Sequence, residues 1–425
     1  MKRRDDIYNS YVKILKEELV PAMGCTEPIA LAYGAAKARE LLGVKPEKIV
    51  IGASGSIIKN VKSVIVPNTD HLKGIPAAAV AGVIAGNADK ELEVISEVTK
   101  DKIKEMKEYI ESTDITVEYI DNGITFDIDI TVYAGNDSAN VRIAVYHTNI
   151  VHMEKNGEVI LDTPVVSEKE EGLTDRSILS VKKICEFAEV LDVKDVEEVL
   201  QRQIDYNTAI AEEGLRGDYG ACVGQTMLAA YGDNVRVRAT AMAAAGSDAR
   251  MSGCELPVII NSGSGNQGIT CSLPVLEFAK ELNADKEETF KALAVSNLVA
   301  IHLKTGIGRL SAYCGAVTAG AAAGAGIAYI KDRDYAVVAH TVVNALASVS
   351  GMVCDGAKAS CAAKIASSVD AAILGYEMYK HGHQFRGGDG IIEKGIENTI
   401  ENVGRLGKDG MKKTNEEIIN IMVGC

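Results

Sequence analysis

The sequence predicts an α+β protein, with mixed helix and antiparallel strand over residues 1–170 and a mostly α-helical part over residues 171–425. Three observations predict it. Between Ile115 and Leu161, β-branched residues alternate with polar ones at the period of a half-buried strand. Further along, apolar and small residues recur at helical spacing in one segment after another. Between these regimes, residues 166–175 are rich in Ser, Glu, Lys and Gly, lack periodicity and read as a linker. A chain of 425 residues that is 47% hydrophobic is long enough to bury two cores.

In order along the chain, the amphipathic stretch Ile7 to Leu19 predicts an opening helix, followed by a turn at Gly24 to Pro28 and a second helix through Leu42. Ile49 to Ile51 is a β-type run, and Val61 to Val66 alternates apolar and polar residues until Pro67 stops it. Ala88 to Ser112 reads as a charged, solvent-facing helix. Asp121-Asn-Gly and Lys155-Asn-Gly predict hairpin turns, because Asn-Gly accepts the positive φ such turns need. Helices are then predicted over Ile178–Leu191, Val196–Ala211, Ala292–Leu303, Ala336–Ser350 and Ala362–Tyr379. The run Gly315 to Ile330, mainly Ala and Gly, is too short and weakly hydrophobic for a membrane span. It predicts a buried helix whose small side chains let neighbouring backbones approach.

The formal charge of −14 opposes binding to nucleic acid or to an anionic membrane, both of which want clustered Lys and Arg. The first residues lead directly into the amphipathic stretch with no apolar core of a signal peptide, so a cytoplasmic location is expected. Nine scattered cysteines do not form a disulfide framework, and a reducing compartment keeps their thiols available for metal binding or catalysis.

Cys314, Cys354 and Cys361 lie in a small-residue-rich part of the chain, and Cys425 is its last residue. Thiolates are the ligands iron–sulfur clusters favour, and three fixed ligands leave one iron free to meet a substrate. In a straight helix Cys354 and Cys361 would lie about 10 Å apart along the axis, a long reach within one compact cluster. The helix must therefore break between them, and Gly356 supplies the permissive backbone. Cys354 is placed on a turn, and Cys361 in the first turn of a helix running through Ile373. Free cysteines also behave as small buried hydrophobes in Ala-rich helices, so spacing alone leaves both readings open.

The apolar run Leu256 to Ile260 feeds a glycine-rich loop, Asn261 to Gly268. Gly263, Gly265 and Gly268 match G-x-G-x-x-G by letter, but no clear second strand follows, which opposes a dinucleotide site. A pyridoxal phosphate site needs a Schiff-base lysine, and residues 195–279 contain none. What remains is a loop whose backbone N–H groups, with Ser262, Ser264 and Asn266, suit a small carboxylate, or a structural turn.

Taken together these segments resemble the L-cysteine desulfidase family, relatives of the oxygen-sensitive iron–sulfur L-serine dehydratases. The resemblance runs nearly end to end. It rests on Pro21-Ala-Met-Gly-Cys-Thr-Glu-Pro28, Ser247-Asp-Ala-Arg-Met251, Asn261 to Gly268, Lys304 to Gly315, Met352 to Cys361, and the tail from Gly390 to Met422. It implies a [4Fe-4S] cluster on Cys314, Cys354 and Cys361, no pyridoxal phosphate, and β-elimination of L-cysteine to pyruvate, ammonia and sulfide. The serine dehydratases carry Cys-Asp-Pro where this chain has Cys354-Asp-Gly, a departure that matches the desulfidase branch. In the related enzymes a terminal cysteine occupies the open iron at rest, the role implied for Cys425.

The Cα proton needs a base, and Cys25, at the start of a helix where thiolates are stabilised, is one candidate; Glu27 is the rival. For the substrate carboxylate, Asn261, Ser262, Gly263 and Asn266 are expected, with Lys304 and Arg309 as cationic supports. Asn60 and Lys62, in the segment after Ser54, are expected to close the site from the N-terminal part, with residues 1–170 acting as a substrate-closing domain and residues 171–425 as the iron–sulfur domain. His302 and His340 are expected to be core groups, and His381 and His383 surface residues. The competing readings are an iron–sulfur L-serine dehydratase, a lyase on another thiol amino acid, and a non-catalytic iron–sulfur amino-acid sensor. The partner expected is a small amino-acid substrate, not nucleic acid or membrane, with a homodimer left open.

Overall fold

The computed structural model describes residues 1–165, 173–308 and 310–423. The chain opens with α1 (Asp6–Glu18), started by the Asp5 carboxylate accepting from the Tyr8 amide. Its buried face turns toward the helical part, where the Tyr8 hydroxyl donates to Asp195 at 2.6 Å and the rings of Tyr8 and Tyr11 meet Phe187. Then come the short strand β1 (Pro21–Met23) and α2 (Thr26–Leu42), which stops at left-handed Gly43. β2 (Lys48–Ser54) runs directly into α3 (Gly55–Val61) and, after a loop, α4 (Gly74–Ala85). α5 (Lys100–Ser112), β3 (Asp114–Ile120), β4 (Asp127–Ala134), β5 (Asp137–Ala144), β6 (Ile150–Lys155) and β7 (Glu158–Asp162) complete this part.

The six strands lie in the order β3-β2-β4-β5-β6-β7, parallel between β2 and β3 and antiparallel elsewhere. α2 covers β4 and β5, and α4 lies so close on α2 that a Cβ at Gly82 would stand 2.0 Å from the Ala32 carbonyl oxygen. The α+β class expected from the sequence is what the chain adopts.

Three local expectations fail. Residues 61–66 are not a strand: α3 ends at Val61, and only an isolated bridge joins Ile65 to Lys73. The alternation there reflects a loop with Val64 and Val66 turned inward. The helix over 88–112 is shorter than expected; a 3₁₀ turn spans Ala88–Glu93, and the helix starts only after the Thr99 cap. Asp121-Asn-Gly is no hairpin, because β2 lies between β3 and β4, so the segment is a crossover. Lys155-Asn-Gly does form the β6–β7 hairpin, with Asn156 at φ +52° and Gly157 at φ +84°.

The linker expected over 166–175 and the boundary at 170 fall largely on residues 166–172, outside the described residues. Beyond them run α6 (Val181–Val190), α7 (Glu197–Arg216), α8 (Val223–Tyr231), α9 (Val235–Met251), β8 (Pro257–Ile259), α10 (Gly265–Glu281), α11 (Lys286–Ile307), α12 (Gly315–Asp332), α13 (Tyr335–Val349), α14 (Ser360–Lys380), α15 (Ile396–Arg405) and α16 (Lys412–Val423). The Ala/Gly-rich α12 is the buried axis, packed by α10, α11, α13 and α14. Its glycines permit this: a Cβ at Gly320 would meet the Ser368 backbone at 2.7 Å, and one at Gly324 the Ala372 methyl at 2.8 Å. β1 pairs antiparallel with β8, Pro21 opposite Ile259, and so ties the loop after β1 to the glycine loop after β8.

Candidate functional site

Two cysteine-bearing segments meet by backbone pairing. Tyr313 and Val353 form an antiparallel bridge, with the Cys314 amide donating to the Met352 carbonyl at 3.1 Å and the Cys354 amide to Ala312 at 2.6 Å. Cys314 caps α12, and Cys361 lies in the first turn of α14. The turn between Cys354 and Cys361 passes through Gly356 at φ +93°, where a Cβ would stand 2.4 Å from the Lys59 carbonyl oxygen. The break that the spacing demanded is therefore present, and glycine is required there on two counts, conformation and contact.

The thiols of Cys314 and Cys354 lie within hydrogen-bonding reach of each other, and the charge of Cys361 is felt by both Cys314 and Cys25. The hydrogen bond from Cys314 holds Cys354 well below the usual thiol range, with Lys59, the Gly356 amide and Lys304 adding to it; Cys314 is pushed up in turn. Lys59, 2% exposed, donates to the Cys354 carbonyl at 3.3 Å and to Asn415 Oδ1 at 2.7 Å.

Among the described residues no three His, Cys, Asp or Glu side chains converge on a single metal ion. A cubane cluster makes a different demand, since each thiolate binds its own iron and the ligands stand on separate segments. Cys314, Cys354 and Cys361, with Lys59 and Lys304 nearby to offset thiolate charge, fit a [4Fe-4S] cluster.

Cys25 caps α2, buried with Val64 and Met251 and packed by Ala357 and Cys361. Gly24, at φ +58° and close against Pro67, makes the turn before it. The Cys25 thiol donates to Glu27 Oε2 at 3.2 Å, the Thr26 hydroxyl, whose one proton is shared with the Gly263 carbonyl, lies 3.2 Å from the same oxygen, and Asn60 Nδ2 donates to Oε1 at 2.9 Å. Burial pushes the Cys25 thiol well up, and the Glu27 carboxylate beside it pushes further. Burial would also raise Glu27, but His147, the Cys25 thiol and Arg250 outweigh it and hold the carboxyl below its ordinary value. The pair therefore rests as thiol and carboxylate.

The glycine loop begins with a tight turn: Asn261 and Ser264 exchange backbone hydrogen bonds, and Ser262 and Gly263 have φ of +50° and +77°. Each glycine has its own cause. Gly263 takes the positive φ and presents its carbonyl to the Thr26 hydroxyl at 2.8 Å, Gly265 leaves room for the Arg250 guanidinium, and Gly268 brings α10 against β8. Gln267 lies against Gly315 beside Cys314, so this loop, the Cys25 turn and the cysteine segments share one buried region.

Not every expected side chain faces it. Asn261 Nδ2 is bound to Asn297 and its Oδ1 accepts from Ser262, so both side chains are engaged within the core. Asn266 Oδ1 accepts from Arg250 at 3.1 Å. Lys304 is buried and near Cys354. Lys62 is exposed and donates to the Met422 carbonyl rather than turning toward Glu27. Arg309 and Cys425 lie outside the described residues. His302 pairs with Glu397 at 2.6 Å, His340 stacks on Tyr379, and His381 is exposed.

Three residues at the site had escaped the sequence reading. Lys59 stands beside Asn60 with nothing local to single it out, and Arg250, the last of three arginines on α9, follows its Ala-rich stretch. His147 reaches Glu27 through the β5–β6 connection, turned by Val145 at φ +74°, which no local pattern announces for a β-branched residue.

The serine dehydratase alpha chain family model matches residues 89–420. The chain is 62% identical over 423 residues to a UPF0597 protein of Desulfitobacterium hafniense, covering all of this chain and 98% of that one. It is 50% identical to a UPF0597 protein of Lachnoclostridium phytofermentans, over 98% of this chain and all of the relative, and 48% identical to one of Treponema denticola, over 98% of each.

Proposed function

We propose, for a chain that belongs to the serine dehydratase alpha chain family and is thereby a dehydratase-type lyase, that its reaction is β-elimination of L-cysteine to pyruvate, ammonium and hydrogen sulfide. The observation that carries the reading is the Cys25 thiol held on the Glu27 carboxylate while packed against Cys361. A proton acceptor and a cluster ligand then flank the same small volume. A [4Fe-4S] cluster held by Cys314, Cys354 and Cys361 would supply an open iron that draws off the leaving sulfur as a Lewis acid.

The chain's own residues supply the rest. Glu27, held by Asn60, accepts the Cys25 proton in the same step as Cys25 takes the proton from Cα, so that no free thiolate stands beside the carboxylate. The C–H electron pair becomes the Cα–Cβ double bond as the Cβ–S bond breaks and sulfur leaves with its pair. The resulting 2-aminoacrylate tautomerises to the imine, which water hydrolyses to pyruvate and ammonium. Burial of Cys25, Glu27, Asn60 and Ser262 keeps water from the reacting Cα. The backbone at Ser262 and Gly263, Asn266 and Lys304, with Arg309, serve the substrate's polar end.

L-cysteine is favoured over L-serine because a soft iron–thiolate site binds sulfur better than oxygen. The test is anaerobic turnover of L-cysteine and L-serine, following sulfide and pyruvate, by the wild type and by Cys25→Ala. L-cysteine should have the higher kcat/KM, and Cys25→Ala should keep its iron but lose turnover by roughly 10²-fold or more. Equal kcat/KM values would refute the substrate, and near-normal sulfide release by Cys25→Ala would refute the base.

A further inference from the structure

We infer that Arg250 anchors the α-carboxylate of the substrate, shared with the open backbone amides at the N-terminus of α10. The inference rests on the elimination reading above, which makes the ligand an α-amino acid. Arg250 is 3% exposed, yet it makes no ion pair among the described residues. Among the described residues its one side-chain hydrogen bond goes to the neutral Asn266 side chain, and its buried Nε has no acceptor there. Arg142, Arg176 and Arg238, by contrast, are paired: Arg142 with Asp127, Arg176 with Glu17 and Glu18, Arg238 with Glu277 and Glu281. A buried guanidinium with no carboxylate in salt-bridge reach is costly, so its fork is open to an anion that arrives.

The surroundings identify that anion. Gly265, the first residue of α10, lies against Arg250 so closely that a Cβ there would stand 2.3 Å from Nε. The cap residue Ser264 makes no side-chain cap bond, so the first-turn amides of α10 lack that partner. A guanidinium fork beside a helix N-terminus favours a small planar anion. The charge of Arg250 reaches both Cys25 and Glu27, which sets the anion beside the proton acceptor, where the α-carboxylate of an amino acid losing its Cα proton must lie. Negative charge developing next to that carboxylate would be stabilised by the same cation.

The test compares L-cysteine with L-cysteinamide, which lacks the carboxylate charge, on the anaerobic holoenzyme. Arg250→Gln should raise KM for L-cysteine roughly 10- to 100-fold and leave that for L-cysteinamide within about twofold. Arg250→Lys keeps the charge without the fork, should discriminate less than the wild type, and carries the comparison if the Gln variant does not fold. An unchanged ratio between the two ligands overturns the anchor, whether or not iron content falls, because that pattern marks a counter-charge for the thiolates. Thermal shift separates this inference from the reaction itself. Even with no sulfide released, L-alanine should raise the melting temperature of the wild type, while alaninamide should not, and Arg250→Gln should lose the response. A wild type that L-alanine does not stabilise, or an Arg250→Gln variant that it stabilises equally, overturns the proposal.

Discussion

Replacing Gly356 by Ala should dismantle the cysteine site while leaving the helical core standing. The residue sits at φ +93°, outside the range L side chains adopt, and that strain costs about 1–3 kcal/mol. The added methyl would also stand 2.4 Å from the Lys59 carbonyl oxygen, about 1 Å short of an ordinary van der Waals contact. Relieving such overpacking costs a further 1–3 kcal/mol or so. The collision falls between the Cys354–Cys361 turn and α3, and α3 carries both Lys59, bound to the Cys354 carbonyl, and Asn60, bound to Glu27.

Gly351 is the control. It has φ +105° but nothing within 4 Å of its would-be Cβ, so Gly351→Ala carries strain without collision. Both variants, purified without oxygen, would be compared by iron per chain and by melting temperature. Gly356→Ala should lose most of its iron and melt below Gly351→Ala, which should keep both near wild type apart from the strain. Equal iron in the two would refute the view that this close approach sets the cysteine geometry.

Other expectations follow from the same site. Cys314→Ala, Cys354→Ala and Cys361→Ala should each lose most bound iron, whereas Cys185→Ala, buried in α6, should not; full retention in Cys354→Ala would remove it from the ligand set. Met422, three residues before Cys425 in the sequence, is held by Lys62 and its side chain lies near Gly356. Deleting Cys425 should therefore shorten the lifetime of bound iron in air with anaerobic turnover largely intact, and an unchanged lifetime would exclude a protective role. Burial pushes the Asp248 carboxyl up to about 6, so its stabilising share is full below the unfolded value near 4 and is lost as pH rises through 6. Urea unfolding at pH 4.5 and 7.5 should show that Asp248→Asn removes a loss on the order of 2 kcal/mol from the wild-type profile, and parallel profiles would refute it.

How much of this was legible in the sequence depended on whether the cause was local. The break between Cys354 and Cys361 was, because helical rise alone forbids them from sharing a compact centre. The buried Ala/Gly helix was too, since its composition leaves nothing to pack except backbone. The crossover at Asp121-Asn-Gly was not, because whether β3 pairs with β4 or with β2 is decided by sheet order, which no turn residue encodes. Asn261 was expected to face the ligand for its chemistry alone. Its actual orientation is fixed by Asn297 on α11 and, through Asn297, by Gln203 on α7, partners far apart in sequence.

The same distinction explains why the site is assembled from short turns at helix starts. Cys25, Cys314 and Cys361 stand at or just inside the N-termini of α2, α12 and α14, and α3 and α10 begin close by. Each start contributes partial positive charge to a region that holds several thiols and a carboxylate. Bringing the starts together requires helix backbones to pass closely, which larger residues at Gly82, Gly268, Gly320 and Gly324 would prevent. The small-residue pattern visible along the chain is thus the packing condition for bringing these helix starts together, since they can converge only if their flanks are nearly bare backbone.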